Sequence, residues 1–225
     1  LAMLVGIAVV ASGGLGYAFD ESRAGSLRGI VGLGVTYLVL GLAAVAFGAR
    51  KRLLGRWLAP RGGDLTRGFL AALVLFACAF GVVKLLTLHE SPRAAWMARL
   101  YLQLGDPKVL RQHQGWVGLV IFVFATLEEI VWRGWATTLL ESLTGTRAAW
   151  IAGAVLYALA HLPTLWALAD PSVGKNPMVL LAALGAGLVW AAMARIFGRL
   201  GPSIISHALF DWAVLIMFRL WGPSV

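Results

Sequence analysis

Charge is scarce in this sequence. Only 13% of its 225 residues are charged and 60% are hydrophobic, whereas a soluble domain of this size carries roughly a quarter charged residues. This composition excludes an ordinary soluble protein and indicates an integral membrane protein. Because a bilayer offers the backbone no water to bind, the apolar runs are predicted to cross it as helices.

Cysteine is nearly absent as well. The single Cys78 excludes an intramolecular disulfide and a metal site built on thiolates. It lies within the apolar run FLAALVLFACAFGVV, where we expect a small core residue. The net charge of +9 comes from Lys and Arg in short loops between apolar runs, which is typical of membrane orientation. We therefore expect no nucleic-acid partner.

Seven apolar runs divide the chain, each near the ~20 residues that cross ~30 Å of hydrocarbon. They predict an all-α, polytopic membrane helix bundle with about seven to eight transmembrane helices, forming a single integral membrane domain over residues 1–225. The first run has no basic region before it, so a secretory signal cannot be diagnosed, and we interpret it as a first membrane helix. The runs are 1–19, 29–49, 68–88, 116–140, 147–169, 177–197 and 202–221.

The stretches between the runs predict orientation and packing. Six Lys or Arg residues lie within 49–67, so this loop should be cytoplasmic. The stretch 89–115 mixes Arg, Trp, Leu and Tyr, is broken by Pro92 and Pro107, and is typical of a helix in the membrane interface that caps the bundle. Gly and Ala in LAALGAGLVWAA predict close helix packing.

Ionisable residues inside apolar runs are costly, so each suggests a function and a partner. Glu129 and Arg133 are four residues apart, share one helix face and can pair. Glu128 is rotated by about 100° from Glu129, so one carboxylate is left over for work as a general base. Lys84 lies near the end of its run and is interpreted as a structural residue that reaches the interface.

Two later runs carry further polar groups. His161 follows Tyr157 on the same helix face, and Pro163 should break the helix and free a carbonyl near Leu159. His161 alone suggests a satisfied core residue, but a spare glutamate on the preceding helix favours a functional role. A second pair lies four residues apart in SIISHALFDWAVL.

That second pair is His207 and Asp211, which share a face of the last run. The aspartate either holds the tautomer of the histidine, or both groups point at a reacting oxygen. With helix tilt, we expect Glu128, His161 and His207 to reach one cavity. Such a cluster could bind a metal or activate water directly.

These residues form three motifs in chain order. Glu128-Glu129-Ile-Val-Trp-Arg133 fits EExxxR, Tyr157-Ala-Leu-Ala-His161 resembles FxxxH, and His207-Ala-Leu-Phe-Asp211 is similar to HxxxN/D. The pattern resembles the CPBP family of intramembrane glutamic endopeptidases, which includes the CAAX protease and bacterial, Abi-like relatives linked to bacteriocin immunity. The resemblance covers about 116–221, the predicted catalytic core. The family is described with about eight helices, which suits a missing N-terminal segment or an undercounted interfacial helix.

The resemblance implies a role for each residue. Glu128 would be the general base that activates water with His161, His207 and Asp211 would form the oxyanion site, and Glu129 and Arg133 would support the geometry. Two residues depart from the pattern. Tyr157 replaces the usual Phe and adds a hydroxyl near the water. Asp211 replaces the Asn of the best-known members, and an anion cannot stabilise an oxyanion, so it must be protonated or must hold His207 as a donor.

The leading hypothesis is a metal-independent, cofactor-free intramembrane endopeptidase that hydrolyses a membrane-associated peptide or protein. A zinc-dependent membrane hydrolase that uses Glu128, His161 and His207 is an alternative, although the chain has no HExxH motif. A non-catalytic immunity factor, scaffold or carrier is another. Residue usage suggests a bacterial inner membrane. Substrate identity, prenylation and oligomeric state stay open at this point.

Overall fold

A computed structural model describes residues 1–86 and 91–217 of the chain. These residues form helices, and their one β-type contact is an isolated bridge between Asp170 and Gly174. Two π-helical segments, π1 (Ile130–Ala136) and π2 (Ala213–Met217), continue the α-helices that end at Glu129 and Trp212 respectively. The α-helices are α1 (Ala2–Ala18), α2 (Leu27–Arg50), α3 (Leu54–Trp57), α4 (Asp64–Leu86), α5 (Ala94–Leu104), α6 (Pro107–Gln112), α7 (Gln114–Glu129), α8 (Thr137–Thr144), α9 (Ala149–Ala160), α10 (Thr164–Ala167), α11 (Met178–Phe197) and α12 (Gly201–Trp212).

Every predicted apolar run lies on a helix, although the predicted ends at 87–88 and 218–221 lie outside the described residues. The all-helical fold class is confirmed for the part of the chain that is described. Five helical stretches are long enough to be candidate membrane spans, and two further apolar helices, Ala2–Ala18 and Gly201–Ile216, are shorter. The count of seven to eight transmembrane helices therefore stays a prediction. Five stretches are long and apolar enough to span a membrane: Leu27–Arg50, Asp64–Leu85, Gln114–Thr144, Ala149–Ala167 and Met178–Phe197.

Local sequence signals explain where several helices begin and end. Asp106 caps α6 by accepting the N–H of Lys108 (2.8 Å), and Pro107 occupies the first turn, where its missing N–H costs nothing. Gly198 ends α11 in the left-handed conformation (φ 65°), which suits a residue without Cβ. Pro163 ends α9, as predicted, and α10 follows after one turn.

Helix α12 lies at the centre of the arrangement that matters for the site. It packs against α4, α7 and α11, while α9 packs against α8 and α11. The core between these helices combines large aromatic residues with alanines, including the fully buried Trp132 and Trp190. This packing brings the three predicted motifs, which are distant in sequence, onto neighbouring helices.

The interfacial stretch forms the predicted cap in part. It folds as α5 and α6, and the Met97 and Tyr101 side chains of α5 pack against α4 and π2. The Gln103 amide donates to the carbonyl of Ala18 (2.8 Å) at the end of α1. The Asn176 amide donates to the carbonyl of Trp96 (2.9 Å) from the loop before α11. The stretch therefore closes one end of the helix bundle.

The opposite end of the bundle is closed by a buried ion pair. The guanidinium of Arg199, between α11 and α12, donates from Nε to both oxygens of Asp64 (3.0 and 3.2 Å) at the start of α4. This hydrogen bonding raises the pKa of Arg199 above its ordinary value. The amide of Leu200 donates to the carbonyl of Trp57 (2.9 Å). Together these contacts hold the start of α12 against α3 and α4.

Cys78 corrects one prediction. It is exposed, not in the core. Helix α4 buries little of its surface, since only 17% of its most apolar window is buried inside the protein. In a membrane helix the outward face is as apolar as the inward one, so an apolar run does not show which side a residue occupies.

Candidate functional site

The first motif lies where α7 passes into π1. The α-helix ends at Glu129, and the next seven residues are π-helical, a rare conformation that is frequent at functional sites. The hydroxyl of Thr137 donates to the carbonyl of Trp132 (2.9 Å), five residues earlier. The prediction assumed a regular α-helix through Arg133 and is corrected here, because the backbone widens directly after the two glutamates.

Glu129 is the fully buried member of the glutamate pair. One oxygen, Oε1, lies 3.0 Å from Arg133 NH1 and accepts a hydrogen bond from His207 Nδ1 at 3.0 Å. The predicted ion pair is therefore present, although its acceptor oxygen is shared with a histidine from α12. Because a carboxylate can only accept, Nδ1 of His207 carries the hydrogen. Glu129 thereby fixes both the position and the tautomer of His207.

The guanidinium of Arg133 is held from three sides. It donates from NH2 to the carbonyl of Gly187 (3.3 Å) on α11 and lies over the rings of Tyr157 (4.4 Å) and Trp190 (5.3 Å). A Cβ at position 187 would lie 3.0 Å from the Tyr157 ring and 3.3 Å from Arg133. The close helix packing predicted for LAALGAGLVWAA is thus confirmed at Gly187, which leaves room for both side chains.

Glu128 faces a different set of groups. Its Oε2 accepts a hydrogen bond from the Tyr157 hydroxyl (3.0 Å) and lies 3.7 Å from His207 Nε2. Its side chain is 12% exposed, whereas that of Glu129 is 0% exposed. Arg133 pairs with its neighbour, so Glu128 is the carboxylate without a dedicated cation. The two glutamates therefore have different partners, as predicted from the rotation between neighbouring residues of a helix.

The third motif lies on α12, directly before π2. The ring of His207 stacks on that of Trp190, with centroids 3.7 Å apart and planes at 18°. Its Nε2 lies 3.4 Å from Asp211 Oδ2 and faces Glu128 as well. The Asp211 side chain is 40% exposed, which makes it the most accessible acid of the cluster. His207 therefore lies between three carboxyl groups, with Glu129 at Nδ1 and both Glu128 and Asp211 at Nε2.

His161 approaches the cluster from the C-terminal end of α9. Its Nδ1 donates to the carbonyl of Tyr157 (2.9 Å), which leaves Nε2 as the acceptor of the neutral ring. The Tyr157 ring lies edge-on to the imidazole, with centroids 4.7 Å apart. Tyr157 thus contacts both His161 and Glu128, through its carbonyl and ring on one side and its hydroxyl on the other.

One detail of the second motif differs from expectation. The carbonyl of Leu159 was predicted to be free beside Pro163, but it accepts the N–H of Leu162 (3.1 Å). The chain forms a turn from His161 to Pro163 before α10 begins, so local hydrogen bonding uses the carbonyls that the proline would otherwise leave unpaired.

Two residues of the site were not found from the sequence. Trp190 stacks on His207, and Tyr37 on α2 accepts a hydrogen bond from Nε1 of Trp132 (3.4 Å), a residue of the first motif. The signal for Tyr37 is weak, because a tyrosine in an apolar run is ordinary. The glycines on either side of it, at 34 and 41, were the sequence signal that could have indicated a close helix contact there. Among residues 1–86 and 91–217, no group of three His, Cys, Asp or Glu side chains is arranged to hold a metal ion.

The apolar helices support an integral membrane protein, and carboxylates of its first and third motifs surround a buried imidazole. Residues 111–213, a little under half of the chain, match the family described as Rce1-like, type II CAAX prenyl endopeptidase Rce1-like. This match covers all three motifs and confirms the resemblance predicted from them. No curated protein matches the chain, and no solved structure does.

The family supports a CAAX-type intramembrane endopeptidase, a hydrolase whose setting is the lipid bilayer and whose substrate is a peptide. All three motifs lie inside the matched segment. Helices α1 to α5 lie before it.

Proposed function

We propose that the chain is an intramembrane glutamic endopeptidase in which Glu128 and His161 activate water for attack on a peptide bond. One observation carries the proposal. Glu128 and Asp211 come from two helices far apart in sequence, and each has a carboxylate oxygen within 4 Å of His207 Nε2, between apolar helices. Such a desolvated cluster is costly, and catalysis gives a reason for it.

The chemistry begins at a water bound beside Glu128. The carboxylate removes a proton from this water, and the resulting hydroxide attacks the carbonyl carbon of the scissile bond. Nε2 of His161, which accepts hydrogen bonds in the neutral ring, orients the same water. The proton taken up by Glu128 passes to the amine of the leaving fragment when the tetrahedral intermediate collapses.

His207 is proposed to stabilise the oxyanion of that intermediate. Its Nδ1–H is donated to Glu129, so His207 must be the imidazolium, with a second hydrogen on Nε2, to point an N–H at a developing negative charge. In the resting enzyme this hydrogen faces Asp211 and Glu128. Asp211 would hold it there until the substrate carbonyl arrives, which is the second of its two predicted roles.

The family description supplies the substrate class to be tested. We propose a membrane-associated peptide or protein, and the family name suggests one with a prenylated C-terminus. A pair of fluorescence-quenched peptides with the same C-terminal CAAX sequence, one farnesylated and one not, separates these possibilities in proteoliposomes. Comparison of membrane-proteome cleavage products between wild type and Glu128→Gln identifies substrates outside the CAAX class.

The decisive variant is Glu128→Gln. We expect it to lower cleavage by about 10²–10⁴-fold, because glutamine keeps the shape of the side chain and cannot act as a base. Glu141→Gln is the matched control, since Glu141 is an exposed glutamate of the same long helix. Unchanged cleavage by Glu128→Gln would refute the proposal and favour a non-catalytic protein.

Two further measurements separate the alternatives. Cleavage that survives exhaustive chelation, in protein without bound zinc, rules out the zinc hydrolase. Asp211→Asn restores the residue of the best-known family members and should retain cleavage, since Asn can still accept from or donate to His207. Loss of activity in Asp211→Asn would mean that the carboxylate itself is needed.

A further inference from the structure

We infer that Trp190 on α11 is a positioning residue for His207, an inference that rests on the proposed function. None of the three motifs contains Trp190, which is buried and only 2% exposed. Its indole stacks on the imidazole of His207, with ring centroids 3.7 Å apart and planes at 18°. A tryptophan from a neighbouring helix therefore covers one face of the ring that is proposed to stabilise the oxyanion.

Two contacts together define the orientation of the His207 ring. Glu129 Oε1 accepts a hydrogen bond from Nδ1 (3.0 Å), which holds one edge of the ring. The second torsion of a histidine side chain has a broad energy minimum, so a ring held at one atom can still tilt. The flat indole at stacking distance opposes this tilt, because the edge of the imidazole would run into it. The hydrogen bond and the stack thus fix where Nε2 points, and this direction decides whether its hydrogen can meet an oxyanion.

Trp190 is itself fixed to the helix that carries His207. Its Nε1 donates to Ser206 Oγ (3.1 Å), and the ring of Phe210 lies edge-on to the indole, with centroids 6.0 Å apart and planes at 69°. Ser206, His207 and Phe210 lie within little more than one turn of α12. The stack therefore depends on a local set of contacts between α11 and α12.

The charge of the site also favours an aromatic residue at this position. The proposed role requires the imidazolium form of His207, and the face of a tryptophan attracts a cation within about 6 Å. The guanidinium of Arg133 lies 5.3 Å from the centroid of the same indole. Trp190 thus lies within this range of both groups that carry positive charge in the proposed site. An aliphatic side chain would not supply the attraction.

The test compares Trp190→Leu with Trp190→Phe in proteoliposomes, with the farnesylated quenched peptide as probe. Leucine removes the flat face, so we expect kcat to fall by about 10²-fold, as for a catalytic group that is misplaced by about 1 Å. KM should stay unchanged, because His207 is proposed to act on the intermediate and not on the bound substrate. Phenylalanine keeps a flat face against the imidazole and should retain most of the activity.

Trp57→Leu is the matched control for lost core packing. Trp57 is a buried tryptophan of α3 (6% exposed), and its ring lies against Gly48 and Gly134. This variant removes the same side-chain volume from the core as Trp190→Leu, so it should lower stability as well. It should leave kcat per folded enzyme unchanged. Equal losses of kcat in the two leucine variants would make Trp190 an ordinary core residue and overturn the inference.

A second readout needs no substrate. In protein with isotope-labelled histidine, the Nδ1–H signal of His207 is identified by its loss in His207→Gln, and its exchange with water is measured by NMR. Trp190→Leu should accelerate this exchange, because the ring that donates to Glu129 is no longer held in place. Ser206→Ala leaves the core filled, removes the acceptor of the indole and should accelerate the exchange to a smaller extent. Unchanged exchange in folded Trp190→Leu, or in Ser206→Ala where the leucine variant does not fold, would overturn the inference.

The two proposals fail in different ways. Unimpaired cleavage by Glu128→Gln refutes the proposed function, whereas an impaired Glu128→Gln with a fully active Trp190→Leu refutes only the role of Trp190. The double variant with His207→Gln adds a further check. If Trp190 acts through His207, Trp190→Leu should lower cleavage no further once His207 is replaced. Losses that multiply in the double variant would contradict this role.

Discussion

The adjacent glutamates should respond in opposite ways to the same substitution. Glu129→Gln removes one charge from a fully buried arrangement in which Arg133 has a 2% exposed side chain. The guanidinium is then left without its carboxylate, and breaking a buried ion pair in this way costs about 3–5 kcal/mol. For a chain of this size that corresponds to a fall in melting temperature of roughly 10 °C.

Glu128→Gln removes one negative charge as well, but from a carboxylate that has no dedicated cation. The amide still accepts from the Tyr157 hydroxyl, so the melting temperature should stay within about 2 °C of wild type, as for a substitution that leaves no buried group unpaired. Activity should instead fall by about 10²–10⁴-fold, the range for loss of a general base.

Thermal unfolding in detergent micelles, followed by tryptophan fluorescence, measures the first quantity. Peptide cleavage in proteoliposomes measures the second. Equal destabilisation by the two substitutions would refute the division of roles between Glu128 and Glu129. So would a fully stable Glu129→Gln protein, because it would mean that Arg133 does not need its partner.

Three further outcomes are expected. Gly187→Ala should lower the free energy of unfolding by about 1–3 kcal/mol through overpacking against the Tyr157 ring, whereas Gly185→Ala, whose Cβ would meet nothing within 4 Å, should not. Tyr157→Phe should reduce kcat about tenfold by removing one hydrogen bond to a charged group while keeping the ring in place, and full activity would contradict this. Asp64→Asn should lower the melting temperature more than Arg67→Gln. The Arg67 side chain is 45% exposed and lies 4.0 Å from the Asp64 carboxylate, so this ion pair contributes little to stability. Equal shifts of the melting temperature in the two variants would argue against a stabilising role of the buried ion pair of Asp64.

Much of the helical framework could be predicted from the sequence. The apolar runs are long because the bilayer requires internally hydrogen-bonded segments, and helices form in the described part of each run. The geometry of a single helix also predicts that Glu128 and Glu129 point in different directions. The three motifs, read in order, were enough to predict the family that residues 111–213 match.

Contacts between helices could not be predicted in the same way. The widening of the backbone in π1, the exposure of Cys78 and the shared acceptor oxygen of Glu129 depend on which neighbours pack at each position. In a membrane, inward and outward helix faces are equally apolar, so the hydropathy of a residue does not show whether its side chain points into the protein or toward the lipid.

The sequence by itself determined which charges lie in the membrane and which glutamate is free, because both follow from distances along one helix. Only the tertiary structure decided what meets that glutamate. Tyr157 lies 29 residues after Glu128 in the chain, and its hydroxyl donates to that carboxylate (3.0 Å) because α9 packs against π1. Such a contact depends on the shapes of two helices at once, and no local spacing in either helix specifies it.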